Sequence, residues 1–248
     1  MGSGLISWQK IVSILVVAGL LVGLVMVFQP KSPSPVASST TVWAPVLVGD
    51  RWGYIDKTGA WAIEPQFDNV LGFSEGLAPA LADGRWGYID KTGAWAIEPQ
   101  FEDALAFSES LAPVQLRNQY GYINKTGQWI IKPSFSGAWE FSDDLAQVRT
   151  DDQTGFIDQT GTWIIEPRFY MVWGFSEGLA AAWAGDKWGY IDKTGNWGIT
   201  PQFDGAWGFS QGLAPVQFGQ RFGYIDGKGA VIIQPMYDKA LPFTNIDG

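Results

Sequence analysis

One pattern recurs six times along this chain at an unbroken spacing of 34 residues. It begins at Trp52, Trp86, Tyr120, Thr154, Trp188 and Phe222, and each of these is followed by glycine. Arg51–Phe67 and Arg85–Phe101 are identical in sequence. A unit this short cannot bury a hydrophobic face alone, so neighbouring units must stack and share a core. That requirement governs any fold the chain adopts from residue 44 onward.

One unit reads as follows. Trp52-Gly-Tyr-Ile-Asp56 is rich in aromatic and β-branched residues and predicts a strand. Asp56-Lys-Thr-Gly59 predicts a tight turn, with the aspartate bonding the backbone ahead and Gly59 at positive φ. Trp61–Ile63 is the return strand. Pro65 has no N–H to donate, so it ends that strand or marks a sheet edge. A connecting loop follows, FDNVLGFSEG, in which DNVLGF is long enough for a short fourth strand. Leu77–Leu81 then predicts a third strand. Ala44–Asp50 matches that third strand, so each meander begins there and ends near the proline. This places six meanders at 44–68, 78–102, 112–136, 146–170, 180–204 and 214–238.

Along the first strand Trp52 and Tyr54 point one way, and Gly53 and Ile55 the other. Neither face is polar, so sheets are expected to pack on both. Glycine beside the tryptophan admits a neighbouring ring or backbone. The fold expected is all-β: six 34-residue repeats, each a three-stranded antiparallel meander, in a propeller-like closed ring. An open β-solenoid or superhelical stack is the alternative. The end units stay apolar where an open stack wants polar caps, which favours the ring.

The motifs WGYIDKTG, W-x-I-x-P-x-F and F-S-E-G-L-A resemble the WG, or KWG, repeats of bacterial proteins. The resemblance spans about residues 44–248. Thr154 and Val231 depart from it where aromatics stand in sister units. It implies an all-β repeat fold and no particular reaction.

Composition limits the chemistry. The chain has no histidine and no cysteine, which removes imidazole bases, thiol nucleophiles and thiolate metal sites. A net charge of −9 argues against nucleic acid as a partner. Isolated turn aspartates at 56, 90, 158, 192 and 226 do not make a calcium site, and no metal or other cofactor is expected. Glu75, Glu109 and Glu177 of F-S-E-G, with Asp143 and Gln211 in sister units, read as solvated loop residues.

The first 43 residues differ in character. Residues 1–10 read as a short cytoplasmic tail and 11–28 as an uncharged transmembrane signal anchor. Residues 29–43 read as a Pro/Ser/Thr-rich spacer. A cleaved signal peptide is the rival for 11–28, but its apolar core is normally shorter. The charge bias places the repeat domain, 44–248, outside the cytoplasm on the inner membrane.

Twelve of the 14 tryptophans lie in the repeats, and most occupy strand positions. Trp139, Trp173 and Trp207 instead replace Leu71 and Leu105 in the connecting loop, and Trp183 replaces Leu81, Gln115 or Gln217 near the third strand's end. These four are the candidate binding residues, since exposed rings stack on sugars or anchor a partner. The function expected is a membrane-anchored, extracytoplasmic, non-enzymatic scaffold that engages protein or envelope glycan through a loop face. A carboxylate-based glycoside hydrolase and a structural or self-assembling element are the alternatives.

Overall fold

The computed structural model describes residues 42–245. The expected tail, membrane anchor and nearly all of the spacer lie outside the described residues. No helix among the described residues is long and apolar enough to cross a membrane.

Six antiparallel sheets follow one another in chain order. Each contains a leading, a central and a trailing strand. In the first unit these are Trp43–Val48, Arg51–Asp56 and Trp61–Phe67. In the second they are Ala78–Ala82, Arg85–Ile89 and Trp95–Phe101. The last trailing strand is Val231–Tyr237. The expected meander boundaries agree with these to within a residue or two.

The three-stranded description needs one correction. Four sheets carry a fourth strand ahead of the leading one, at Asn69–Val70, Asp103–Ala104, Gly137–Ser142 and Gly205–Ala206. In the fifth unit the equivalent pairing shrinks to a single bridge, Val172 to Ala182. The connecting segment therefore belongs to two units. Tyr54 Oη donates to the Leu71 carbonyl (2.7 Å) and ties the segment to the unit behind. Leu71 N then donates to the Pro79 carbonyl and ties it to the unit ahead.

The Trp-Gly glycine has a backbone reason. Trp52 pairs with Phe67 and Tyr54 with Ile63, so three trailing-strand residues bulge opposite Gly53. A Cβ on Gly53 would lie 2.5 Å from the Ile63 carbonyl oxygen and 2.8 Å from Pro65 N. The bulge also carries the strand through Pro65 to Phe67, on the edge of the sheet where the missing N–H costs no ladder bond.

The apolar cores lie between sheets. Among the described residues there are five, one per junction of consecutive units. The first joins Tyr54, Ile63 and Phe67 of one sheet to Ala78, Ala80 and Ile89 of the next. The second repeats it with Tyr88, Ile97 and Phe101 against Ala112, Val114 and Ile123. Tyr54 and Ile89 types thus serve opposite faces of their sheets, as their alternation requires.

A closed ring needs a sixth such junction, between the last unit and the first, and among the described residues it is not formed. Tyr237 is 44% exposed where its counterpart Phe203 is 1% exposed. Ile55 is half-buried, whereas its five counterparts are fully buried. The apolar end units that favoured closure on sequence grounds instead present open faces.

Candidate functional site

The turn aspartates do what their spacing implies. Asp56 Oδ1 accepts from Thr58 N (2.8 Å), Thr58 Oγ1 (2.6 Å) and Ala60 N (3.1 Å). The Thr58 hydroxyl, then the backbone N–H groups, hold its carboxyl below the usual range. Asn124 makes the same backbone bonds to Thr126 and Gln128.

The F-S-E-G acids are not simply solvated. Glu75 accepts from Ser110 N of the next unit (3.1 Å) and pairs with Lys125 Nζ (2.9 Å). Asp143 accepts from Gly178 N (2.7 Å) and Glu177 from Gly212 N (3.0 Å). The residues form a row of clasps from one unit to the next. Sequence alone concealed this because both partners of each clasp are loop residues 35 positions apart.

The four candidate tryptophans divide. Trp139 and Trp207 fold back over Gly137 and Gly205, whose missing side chains leave room for the ring. Trp207 also meets Phe222 at 5.2 Å. In the fifth unit Met171 occupies that glycine position. Trp173 there is 52% exposed and lies parallel to Trp188, with ring centroids 6.2 Å apart. Trp183 pairs across the sheet with Trp188 and meets Tyr170 at 6.2 Å. The structure therefore brings Trp173 and Trp183 into one aromatic run, and leaves Trp139 and Trp207 in other units.

Tyr170 was not among the sequence candidates, and it shapes the site. Its column holds Asp68, Glu102, Ser136, Asp204 and Asp238 in the other units. Three of these acids fasten the following turn: Asp68 accepts from Asp83 N (2.9 Å), Glu102 from Asn118 N (2.8 Å) and Asp204 from Gly219 N (2.6 Å). In the fifth unit a ring, 64% exposed, replaces the fastener. Beside it opens a cleft of about 560 Å³, walled by Tyr170, Trp183 and Trp197 and edged by Arg168 and Asn196. Arg168 is held by a hydrogen bond to the Gly195 carbonyl. The break in an otherwise mostly acidic column was the signal that marked Tyr170. Trp197 could not be singled out, because its column is aromatic in five units.

Such a surface offers rings for stacking and, from a fixed guanidinium and an amide, hydrogen-bond donors. A second cleft, of about 770 Å³, lies at the last unit among Trp207, Phe222, Tyr224 and residues 239–244.

These features define an all-β tandem-repeat protein whose units differ mainly in their loops. The WG containing repeat family matches residues 52–86, 86–120, 120–153, 155–187, 188–221 and 222–245, and the chain belongs to that family. No curated protein matches the sequence. Among solved structures, Kluyveromyces lactis Hsv2 is similar over 75% of this chain and 71% of its own, at 9% identity and a TM-score of 0.49. The dihydro-heme d1 dehydrogenase NirN is similar over 84% of this chain and 57% of its own, at 13% identity and a TM-score of 0.46. Likenesses of this strength carry no argument about activity.

Proposed function

We propose that this protein is a membrane-anchored, extracytoplasmic binding scaffold without enzymatic activity, and that its repeats form an open array. The fifth unit is its principal contact surface, for a protein or an envelope glycan. The observation that carries this reading is the run Tyr170, Trp183, Trp188 and Trp173, gathered and partly exposed where the fourth unit meets the fifth, while sister units hold acids or serine in the Tyr170 column and leucine, glutamine or arginine in the Trp183 column. Tryptophan, tyrosine and arginine are the residues most often found to dominate binding energy. Turn acids such as Asp56 and F-S-E-G-position acids such as Glu75 and Asp143 are engaged elsewhere, in turns and clasps.

The uncharged segment 11–28 supplies the anchor in this reading, and the segment up to residue 43 the stalk. Alkaline extraction of membranes and protease added to intact spheroplasts test that arrangement. A head released by alkali, or protected from the protease, refutes it. For binding, the full chain in detergent micelles is titrated with solubilised peptidoglycan fragments and followed by tryptophan fluorescence. Chemical cross-linking to envelope proteins runs in parallel. The double variant Tyr170→Ala, Trp183→Ala should lose at least roughly tenfold in affinity or cross-linking yield. Unchanged binding by that variant removes the fifth unit from the proposal.

A further inference from the structure

The five internal junctions are near copies of one another, so they define what a complete junction contains. The trailing isoleucine of one unit packs on the turn glycine of the next. A Cβ on Gly93 would lie 2.9 Å from Ile63, one on Gly127 3.3 Å from Ile97, and one on Gly229 2.9 Å from Ile199. At the first four junctions the trailing phenylalanine also meets the next tryptophan edge-on, as in Phe67 to Trp95 at 5.5 Å. The connecting segment bonds the tyrosine behind it and pairs with the leading strand ahead.

The two ends of the array hold the two halves of one more junction. At the last unit, Ile233, Tyr224 and Tyr237 are only partly buried or exposed, where their counterparts are buried. The segment after Tyr237 has made its backward bonds: Tyr224 Oη donates to the Leu241 carbonyl (3.0 Å) and Ser210 Oγ to the Phe243 carbonyl (2.7 Å). Among the described residues, no leading strand lies ahead of it. At the first unit, nothing lies within 4 Å of a Cβ built on Gly59, Trp61 is 40% exposed, and Val46 and Ile55 are half-buried. Among the described residues, the leading strand Trp43–Val48 pairs on one side only, so its other edge is open.

We infer that the head assembles head to tail with further copies of itself, the trailing face of one copy closing on the leading face of the next. Ile233 packs on Gly59 of the second copy, and Tyr237 meets its Trp61. Residues 239–241 add a short strand to the free edge of 43–48. The register follows from Asn69 to Leu81 and Val70 to Ala80 inside the chain: it sets Lys239 opposite Leu47 and Ala240 opposite Val46. This interface joins two different surfaces, so each added copy leaves the same two faces open. Strand addition at an open edge is a recurrent mode of association.

The test uses the full chain in detergent micelles, followed by sedimentation velocity over a hundredfold concentration range. The wild type should form dimers and larger species as concentration rises. Trp61→Glu disables the leading face and Ile233→Glu the trailing face. Each variant alone should associate at least roughly tenfold more weakly. Their equimolar mixture should form dimers and nothing larger, because only one pair of intact faces remains. Circular dichroism confirms that each variant is folded. A second measurement exploits the absence of cysteine. The double variant Gly59→Cys, Ile233→Cys should oxidise to a covalent ladder, with Ile63→Cys, Gly93→Cys as the internal control. Any of four results overturns the inference: a wild type monomeric throughout, variants that assemble unchanged, a mixture that stays monomeric, or a disulfide that links positions 59 and 233 within one chain.

Discussion

Replacing Gly87 by alanine probes the packing of the repeat most directly. A Cβ at that position lies 2.5 Å from the Ile97 carbonyl oxygen, 2.8 Å from Pro99 N and 2.9 Å from Glu98 C. All three are backbone atoms of the bulge, so no side-chain rotation relieves the clash. The trailing strand has to retreat by about half an ångström to bring the closest contact to 3.0 Å, in an interior packed like a crystal. That strand also carries Ile97 and Phe101 into the second core, so the retreat disturbs the junction with the third unit. Overpacking of this kind costs about 1–3 kcal/mol, and the backbone partners put Gly87→Ala at about 3 kcal/mol. For a domain of this size that lowers the melting temperature by about 6–12 °C. The assay is thermal unfolding of the full chain in micelles, read by near-ultraviolet circular dichroism. Gly72→Ala is the control, since nothing lies within 4 Å of a Cβ there and its φ is not positive. It should stay within about 0.5 kcal/mol of wild type. If the two variants melt together, the close approach is not what the glycine is for.

Other outcomes follow from the same structure. Asp90→Asn should leave the urea midpoint nearly unchanged, because Asn124 already makes the same turn bonds, whereas Asp90→Ala should lower it. Stability should fall at both pH extremes. The Asp56, Asp90, Asp158 and Asp192 carboxyls are held low, chiefly by threonine hydroxyls, so their contribution is present above the ordinary carboxylate value and is lost as pH falls below about 4. Burial raises Tyr54, Tyr122 and Tyr190 far above their ordinary value, so the fold loses stability as pH rises past about 10. A flat profile of unfolding free energy through either limit contradicts the corresponding assignment. Tyr122→Phe removes the bond to the Trp139 carbonyl (2.8 Å) and should cost about 1–2 kcal/mol by denaturant titration. The cost is bounded because Phe156 holds the same place in the fourth unit, fully buried against Phe175.

Much of the fold was legible because its determinants are local. Asp56, Thr58 and Gly59 close their turn within a few residues, and the period of 34 multiplies that signal six times. Two-sided burial was legible from Tyr54 and Ile55 both being apolar. The fourth strand was only half visible, because Asn69–Val70 is two residues long and gains its partner, Leu81 and Ala80, from the turn of the chain. The clasp at Glu75 was hidden, because the Ser110 N–H it needs comes from the next unit and carries no side-chain signature. At the candidate site, Trp173 and Trp183 were picked out as departures from leucine and glutamine. Tyr170, Arg168 and Trp197 join them only once two units are stacked.

By itself, then, the sequence determined the unit: its strands, its turn, its glycine, and the fact that both of its faces need covering. Whether the last face meets the first was left to the tertiary structure. Ring or open array depends on the rotation from each unit to the next, summed over the internal junctions. That rotation is set by how Ile63 seats on Gly93 and Phe67 on Trp95, and no periodicity encodes its size. The same geometry decided which tryptophans lie together. It placed Trp183 beside Tyr170 and Trp173 on Trp188, and sent Trp139 and Trp207 back over glycine.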